Sequence, residues 1–106
     1  MVINELINTR QQVFYDLCKA YSVKRLFAFG SAVREDFDPE TSDIDLLVEI
    51  DEEDPIERGE KIIQLWDKLE GFFKRKVDLL TSLSVRNPYL KQSIEASKEL
   101  IYDASK

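Results

Sequence analysis

A chain of 106 residues with 43% hydrophobic content and only three glycines and three prolines carries enough apolar matter for one modest core, which excludes a disordered or low-complexity segment. Its 21 acidic residues outnumber 15 basic ones for a net charge of −6, and 13 of those acids with a single base, Arg58, fall in residues 35–60. Such a block repels a nucleic-acid backbone and argues against a long nucleic-acid track, while the absence of histidine removes imidazole bases, Ser-His-Asp triads and His-based zinc sites.

No apolar run approaches the ~20 residues of a membrane span, and the start Met-Val-Ile-Asn-Glu-Leu has no signal-peptide pattern. A single domain over residues 1–106 in the cytoplasm is the expectation. The lone Cys18 has no internal disulfide partner and reads as a small buried side chain.

From Val2 to about Tyr21, the apolar residues Ile3, Leu6, Ile7, Val13, Phe14, Leu17 and Tyr21 recur at helical spacing, predicting one amphipathic helix that covers a sheet face. Lys24 to Gly30 reads as a strand whose run Leu26-Phe27-Ala28-Phe29 is too continuous for a surface position, so it is expected to be central. Ser31 to Arg34 opens a short helix, and Phe37-Asp38-Pro39-Glu40-Thr41 forms a turn. Asp43 to Ile50 is a second strand. Its period of two puts Ile44, Leu46, Val48 and Ile50 on one face and Asp43, Asp45, Leu47 and Glu49 on the other.

Asp54-Pro55-Ile56-Glu57 carries the signature of a helix start, with Asp54 as N-cap, Pro55 in the first position and Glu57 closing a capping box. That helix is expected to bury Ile62, Trp66, Leu69 and Phe73 and to end at Gly71. A basic link, Lys74-Arg75-Lys76, leads to a third strand, Val77 to Thr81. Asn87-Pro88 starts a final helix with Leu90, Ile94, Leu100 and Ile101 toward the core. Strand, helix and strand form a crossover, so the second and third strands are expected to be parallel. The fold class is α/β in the broad sense (α+β), a mixed sheet of about three strands flanked by helices.

Parallel pairing gathers the early ends of the second and third strands, and with them Asp43, Asp45 and Asp78. If the first strand runs antiparallel to the second, Gly30-Ser31 joins the same edge. Aspartates at i and i+2 on a strand have Cα atoms ~6.5–7 Å apart, and hard oxygen donors of this kind suit Mg²⁺, which takes further ligands from substrate phosphates. One or two such ions promote in-line displacement at phosphorus. Gly30 lets the backbone approach a phosphate, while the Ser31 hydroxyl and the amides of a helix start donate to its oxygens. Arg34 stands about one turn on, within reach of the same phosphates or of the acidic block, and Lys74 to Lys76 is either a helix-end charge cluster or a phosphate contributor.

Gly30-Ser31, the run Ser42-Asp43-Ile44-Asp45-Leu46-Leu47-Val48 and the later Val77-Asp78-Leu79-Leu80-Thr81 together resemble the minimal nucleotidyltransferases of the polymerase-β-like superfamily. The resemblance implies a palm-like fold in which Asp43 and Asp45 bind Mg²⁺, Asp78 completes the catalytic site, and Gly30 and Ser31 hold nucleotide phosphates. Glu35 follows Arg34 where the family commonly has Gly. The resemblance also implies a role as an antitoxin paired with a HEPN-domain toxin, some such antitoxins transferring AMP from ATP to a toxin tyrosine.

Only 28 residues follow Asp78, leaving an acceptor wall to be supplied by a partner protein. The leading expectation is therefore a Mg²⁺-dependent protein adenylyltransferase using ATP or another nucleoside triphosphate. Its rivals are a non-catalytic binding module of the same fold and transfer to a small molecule.

Overall fold

The computed structural model describes residues 2–33, 43–82 and 84–105. In chain order these form α1 (Val2–Asn8), α2 (Gln11–Ala20), β1 (Val23–Phe29), a short 3₁₀ turn (Gly30–Val33), β2 (Ile44–Ile50), α3 (Pro55–Phe73), β3 (Val77–Leu80), α4 (Pro88–Ser97) and β4 (Glu99–Asp103). The four strands make one sheet in the order β3-β2-β1-β4. β1 is antiparallel to both β2 and β4, and β2 is parallel to β3. The central first strand, the antiparallel β1–β2 pair and the parallel β2–β3 pair agree with the sequence expectations.

The alternating pattern of β2 divides the interior into two layers. Leu26 and Ala28 of β1, Ile44, Leu46 and Val48 of β2, Val77 and Leu79 of β3 and Tyr102 of β4 join Ile3, Ile7, Phe14, Cys18, Leu65, Leu69, Phe72 and Phe73 in the main core. The opposite face carries a smaller cluster of Phe29, Leu47, Val85 and Ile94, with Phe27 and Leu80 packed against it. α1, α2 and α3 thus cover one face, and α4 covers part of the other, which is the face that bears Asp45. Phe14 is fully buried and its ring lies 5.4 Å from Phe72 and 6.5 Å from Tyr102, between centroids. It is the aromatic hinge between α2, α3 and β4.

Four expectations need correction. The N-terminal helix is two helices, because Arg10 leaves the helical conformation (φ −143°, ψ 53°) and its guanidinium reaches across to the Phe72 carbonyl and over the Phe72 ring. Breaking one helix lets two short ones wrap the sheet while Val13 is left half-exposed. α3 does not stop at Gly71 but runs to Phe73, since Phe72 and Phe73 are both buried, and it ends at Lys74 in the left-handed conformation (φ 56°) with the Lys74 N–H donating to the Glu70 carbonyl. The third correction concerns the start of α3: Asp54 caps it as expected, accepting from the amides of Ile56 and Glu57 (2.9 and 3.4 Å), but the Asp54 N–H donates to Glu52 rather than to Glu57.

The fourth correction is the strand count. Leu100 and Ile101 belong to β4 and not to the last helix, whose cap Lys98 is already extended (φ −61°, ψ 141°). α4 itself begins as expected, with Asn87 accepting from the amides of Tyr89 and Leu90.

Candidate functional site

β1 leaves the sheet at the edge where β2 and β3 enter it. The register pairs Phe29 with Asp45 across β1–β2 and Asp45 with Asp78 across β2–β3. The two aspartates therefore stand side by side on neighbouring strands, which lie ~4.8 Å apart. Asp45 is half-buried, whereas Asp43 and Asp78 are exposed. Asp43 precedes β2 by one residue and is not within it; the strand starts only at Ile44, whose amide donates to the Lys76 carbonyl (3.1 Å).

Gly30 is fitted to this edge in two independent ways. Its backbone is left-handed (φ +60°), where an L side chain is strained. A Cβ built on it would lie 2.7 Å from Asp45 Oδ2, well inside van der Waals contact. The missing side chain is thus the space in which the Asp45 carboxylate rests. The 3₁₀ turn of residues 30–33 then presents its first amides at the same edge, with Ala32 buried beneath.

Trp66, expected in the core, and Glu70, which the sequence pattern did not single out, both bond to the backbone of Val77, the residue before Asp78. Trp66 Nε1 donates to the Val77 carbonyl (2.6 Å), and the Val77 amide donates to Glu70 Oε2 (3.0 Å). Their spacing of four on α3 was the available signal, since it sets both side chains on one helix face. It was masked by Trp66 reading as a core aromatic.

Of the residues expected at the site, Gly30, Asp45 and Asp78 are brought together and Asp43 flanks them. Ser31 contributes its backbone to the turn, and Arg34 lies outside the described residues, as does the turn expected at 37–41. Among the described residues, no three carboxylate or thiol side chains converge closely enough to hold a metal ion by themselves. The donor set nevertheless fits Mg²⁺, which is commonly held by one or two carboxylates with the remaining positions filled by water and substrate phosphate. Asp45, pressed into the Gly30 recess, and its neighbour Asp78 supply such a pair.

The sequence model of the nucleotidyltransferase domain family matches residues 10–101, nearly the whole chain. The chain belongs to this family. A relative from Methanocaldococcus jannaschii, named as a "putative protein adenylyltransferase", is 42% identical over 100 residues, covering 94% of this chain and 93% of its own. A chain from a solved toxin–antitoxin structure with AMP-PNP matches with a TM-score of 0.63 at 20% identity, over 90% of this chain and 74% of the other. A second, from a complex of tri-AMPylated Shewanella oneidensis HEPN toxin with MNT antitoxin, matches with a TM-score of 0.54 at 21% identity, over 92% and 73%. The nucleotidyltransferase shares their fold, and its family makes it an enzyme of nucleotidyl transfer.

Proposed function

We propose that this nucleotidyltransferase transfers AMP from ATP, with Mg²⁺, to a hydroxyl of a partner protein, a tyrosine of a HEPN-type toxin, and so acts as an antitoxin. The observation that carries the reading is the Asp45 carboxylate seated against side-chain-free Gly30 and beside Asp78. The protein adenylyltransferase relative supports a protein acceptor, and the fold neighbours with AMP-PNP and an AMPylated HEPN toxin support the nucleotide and the partner.

In this reading Asp43 and Asp45, with Asp78, hold Mg²⁺, which when bound neutralises phosphate charge and polarises the reacting phosphorus. The amides of the Gly30–Val33 turn, the Ser31 hydroxyl and Arg34 bind the phosphates and fix their orientation. The acceptor oxygen forms a bond to the α-phosphorus as the bond from that phosphorus to the bridging oxygen breaks. Pyrophosphate leaves with that electron pair, and the hydroxyl proton passes to the Asp78 carboxylate. Side by side on neighbouring strands, the Asp45 and Asp78 carboxylates offer oxygen donors to a cation at this edge.

Intact mass of the partner toxin after incubation with this protein, ATP and Mg²⁺ tests the reading. The expected result is the added mass of one or more AMP units, abolished by Asp45→Asn. No added mass with both proteins folded and bound would sink it. A non-catalytic binding module of the same fold is the rival reading. It predicts that Asp45→Asn neutralises the toxin as well as the unsubstituted protein does.

A further inference from the structure

We infer that Trp66 and Glu70 are positioning residues for Asp78, bonding to β3 on the side where no described strand pairs with it. β3 has four residues and, among the described residues, pairs with β2 alone. An edge strand this short frays readily at its ends unless something holds it. The N–H and C=O of one strand residue point to the same side, and the neighbours' groups point to the other. Lys76 offers its carbonyl to Ile44 of β2 (3.1 Å), so the polar groups of Val77 face away from the sheet.

Both of those outward groups are taken by α3: the carbonyl by the Trp66 indole at 2.6 Å, the amide by Glu70 at 3.0 Å. The Val77 carbonyl shares one planar peptide unit with the Asp78 nitrogen. Trp66 therefore grips one side of the plane that leads into Asp78, and the parallel ladder to β2 grips the other. With Val77 fully buried against Ile44, the remaining freedom of Asp78 lies in its side chain. Asp78 is exposed, and no packing of its own side chain is needed to fix where its carboxylate begins. α3, which joins β2 to β3, thus sets the distance between Asp45 and Asp78 from behind.

This inference rests on the reading of Asp78 as part of the nucleotide site, and the test separates the two. Calorimetry measures the affinity of the full chain for AMP-PNP with Mg²⁺ in a double-mutant cycle. Glu70→Met removes the acceptor and is expected to weaken binding about tenfold, on the scale of one lost hydrogen bond. Glu70→Gln keeps an acceptor oxygen and is expected to stay within about twofold. In the Asp78→Asn background, Glu70→Met is expected to have no further effect. Equal weakening in both backgrounds, or unchanged affinity while exchange of the Val77 amide quickens, overturns the inference. If Asp78→Asn alone binds as well as the unsubstituted protein, the reading of Asp78 fails and takes the inference with it. Trp66→Phe keeps an aromatic ring but removes the donor and part of the indole volume; it carries the same comparison should Glu70→Met not fold.

Discussion

Replacing Gly30 with alanine separates what this glycine does for the fold from what it does for the site. The backbone stays at φ +60°, a conformation that costs an L residue roughly 1–2 kcal/mol. The new Cβ would meet Asp45 Oδ2 at 2.7 Å. The obstructing atom is the end of a flexible side chain, so the carboxylate swings off its rotamer at a cost of about 0.5–1.5 kcal/mol. The total of about 1.5–3.5 kcal/mol corresponds to a Tm lower by on the order of 10 °C in a domain of this size. Displacing Asp45 by about 1 Å is expected to slow nucleotidyl transfer on the order of 100-fold, so activity falls much further than stability. Urea unfolding and toxin labelling followed by mass measure the two. Gly59→Ala and Gly71→Ala are internal controls. Both glycines lie within α3 and a Cβ there would meet nothing within 4 Å, so each is expected to gain about 0.5–1 kcal/mol. Gly30→Ala with unchanged transfer, or a gain in stability like the controls, would refute the contact between Gly30 and Asp45.

Leu46, fully buried in β2 and central in the main core, is expected to cost about 2–5 kcal/mol when cut to alanine, measured by urea unfolding. Asp54→Ala removes the cap of α3 and is expected to cost about 0.5–2 kcal/mol; a loss below that range would mean that Glu52 or solvent takes over the amides. Burial pushes the Cys18 thiol from 9.0 up to about 12, so its neutral form is retained in the folded state. Its contribution is intact below pH 9 and lost as pH rises from 9 toward 12, since only the unfolded thiol ionises there, with a slope of about 1.4 kcal/mol per pH unit. Alkaline unfolding of Cys18→Ala beside the unsubstituted protein isolates that slope, which the substitution is expected to abolish.

The parts of the fold written in short-range pattern were legible. The alternation of Ile44, Leu46 and Val48 with Asp45 and Leu47 gave the two faces of β2, and Asp54-Pro55 and Asn87-Pro88 marked two helix starts through local hydrogen bonding. The misses depend on partners far along the chain. Arg10 breaks the N-terminal helix through Phe72, 62 residues away, with no Gly or Pro to announce it. β4 is an edge strand whose Leu100 is left exposed and of which only Tyr102 is buried. Its Leu100 and Ile101 therefore continued the helical spacing from Leu90 and Ile94. Gly71 looked like a stop because glycine is poor inside helices, yet burial of Phe72 and Phe73 outweighs about 1 kcal/mol of propensity. At the site, the juxtaposition of Gly30, Asp45 and Asp78 followed from strand direction alone. The support of Asp78 by Trp66 and Glu70 did not, because a side-chain bond to an edge backbone leaves no periodic trace.

Amide NMR of the full chain titrated with AMP-PNP and Mg²⁺ tests whether the nucleotide sits at the edge formed by Gly30, Asp45 and Asp78. The largest shift changes are expected at residues 30–33, 43–45 and 78, dependent on Mg²⁺ and lost in Asp45→Asn. Changes confined to another cleft, such as that lined by Tyr15, Lys19 and Tyr102, would contradict that placement.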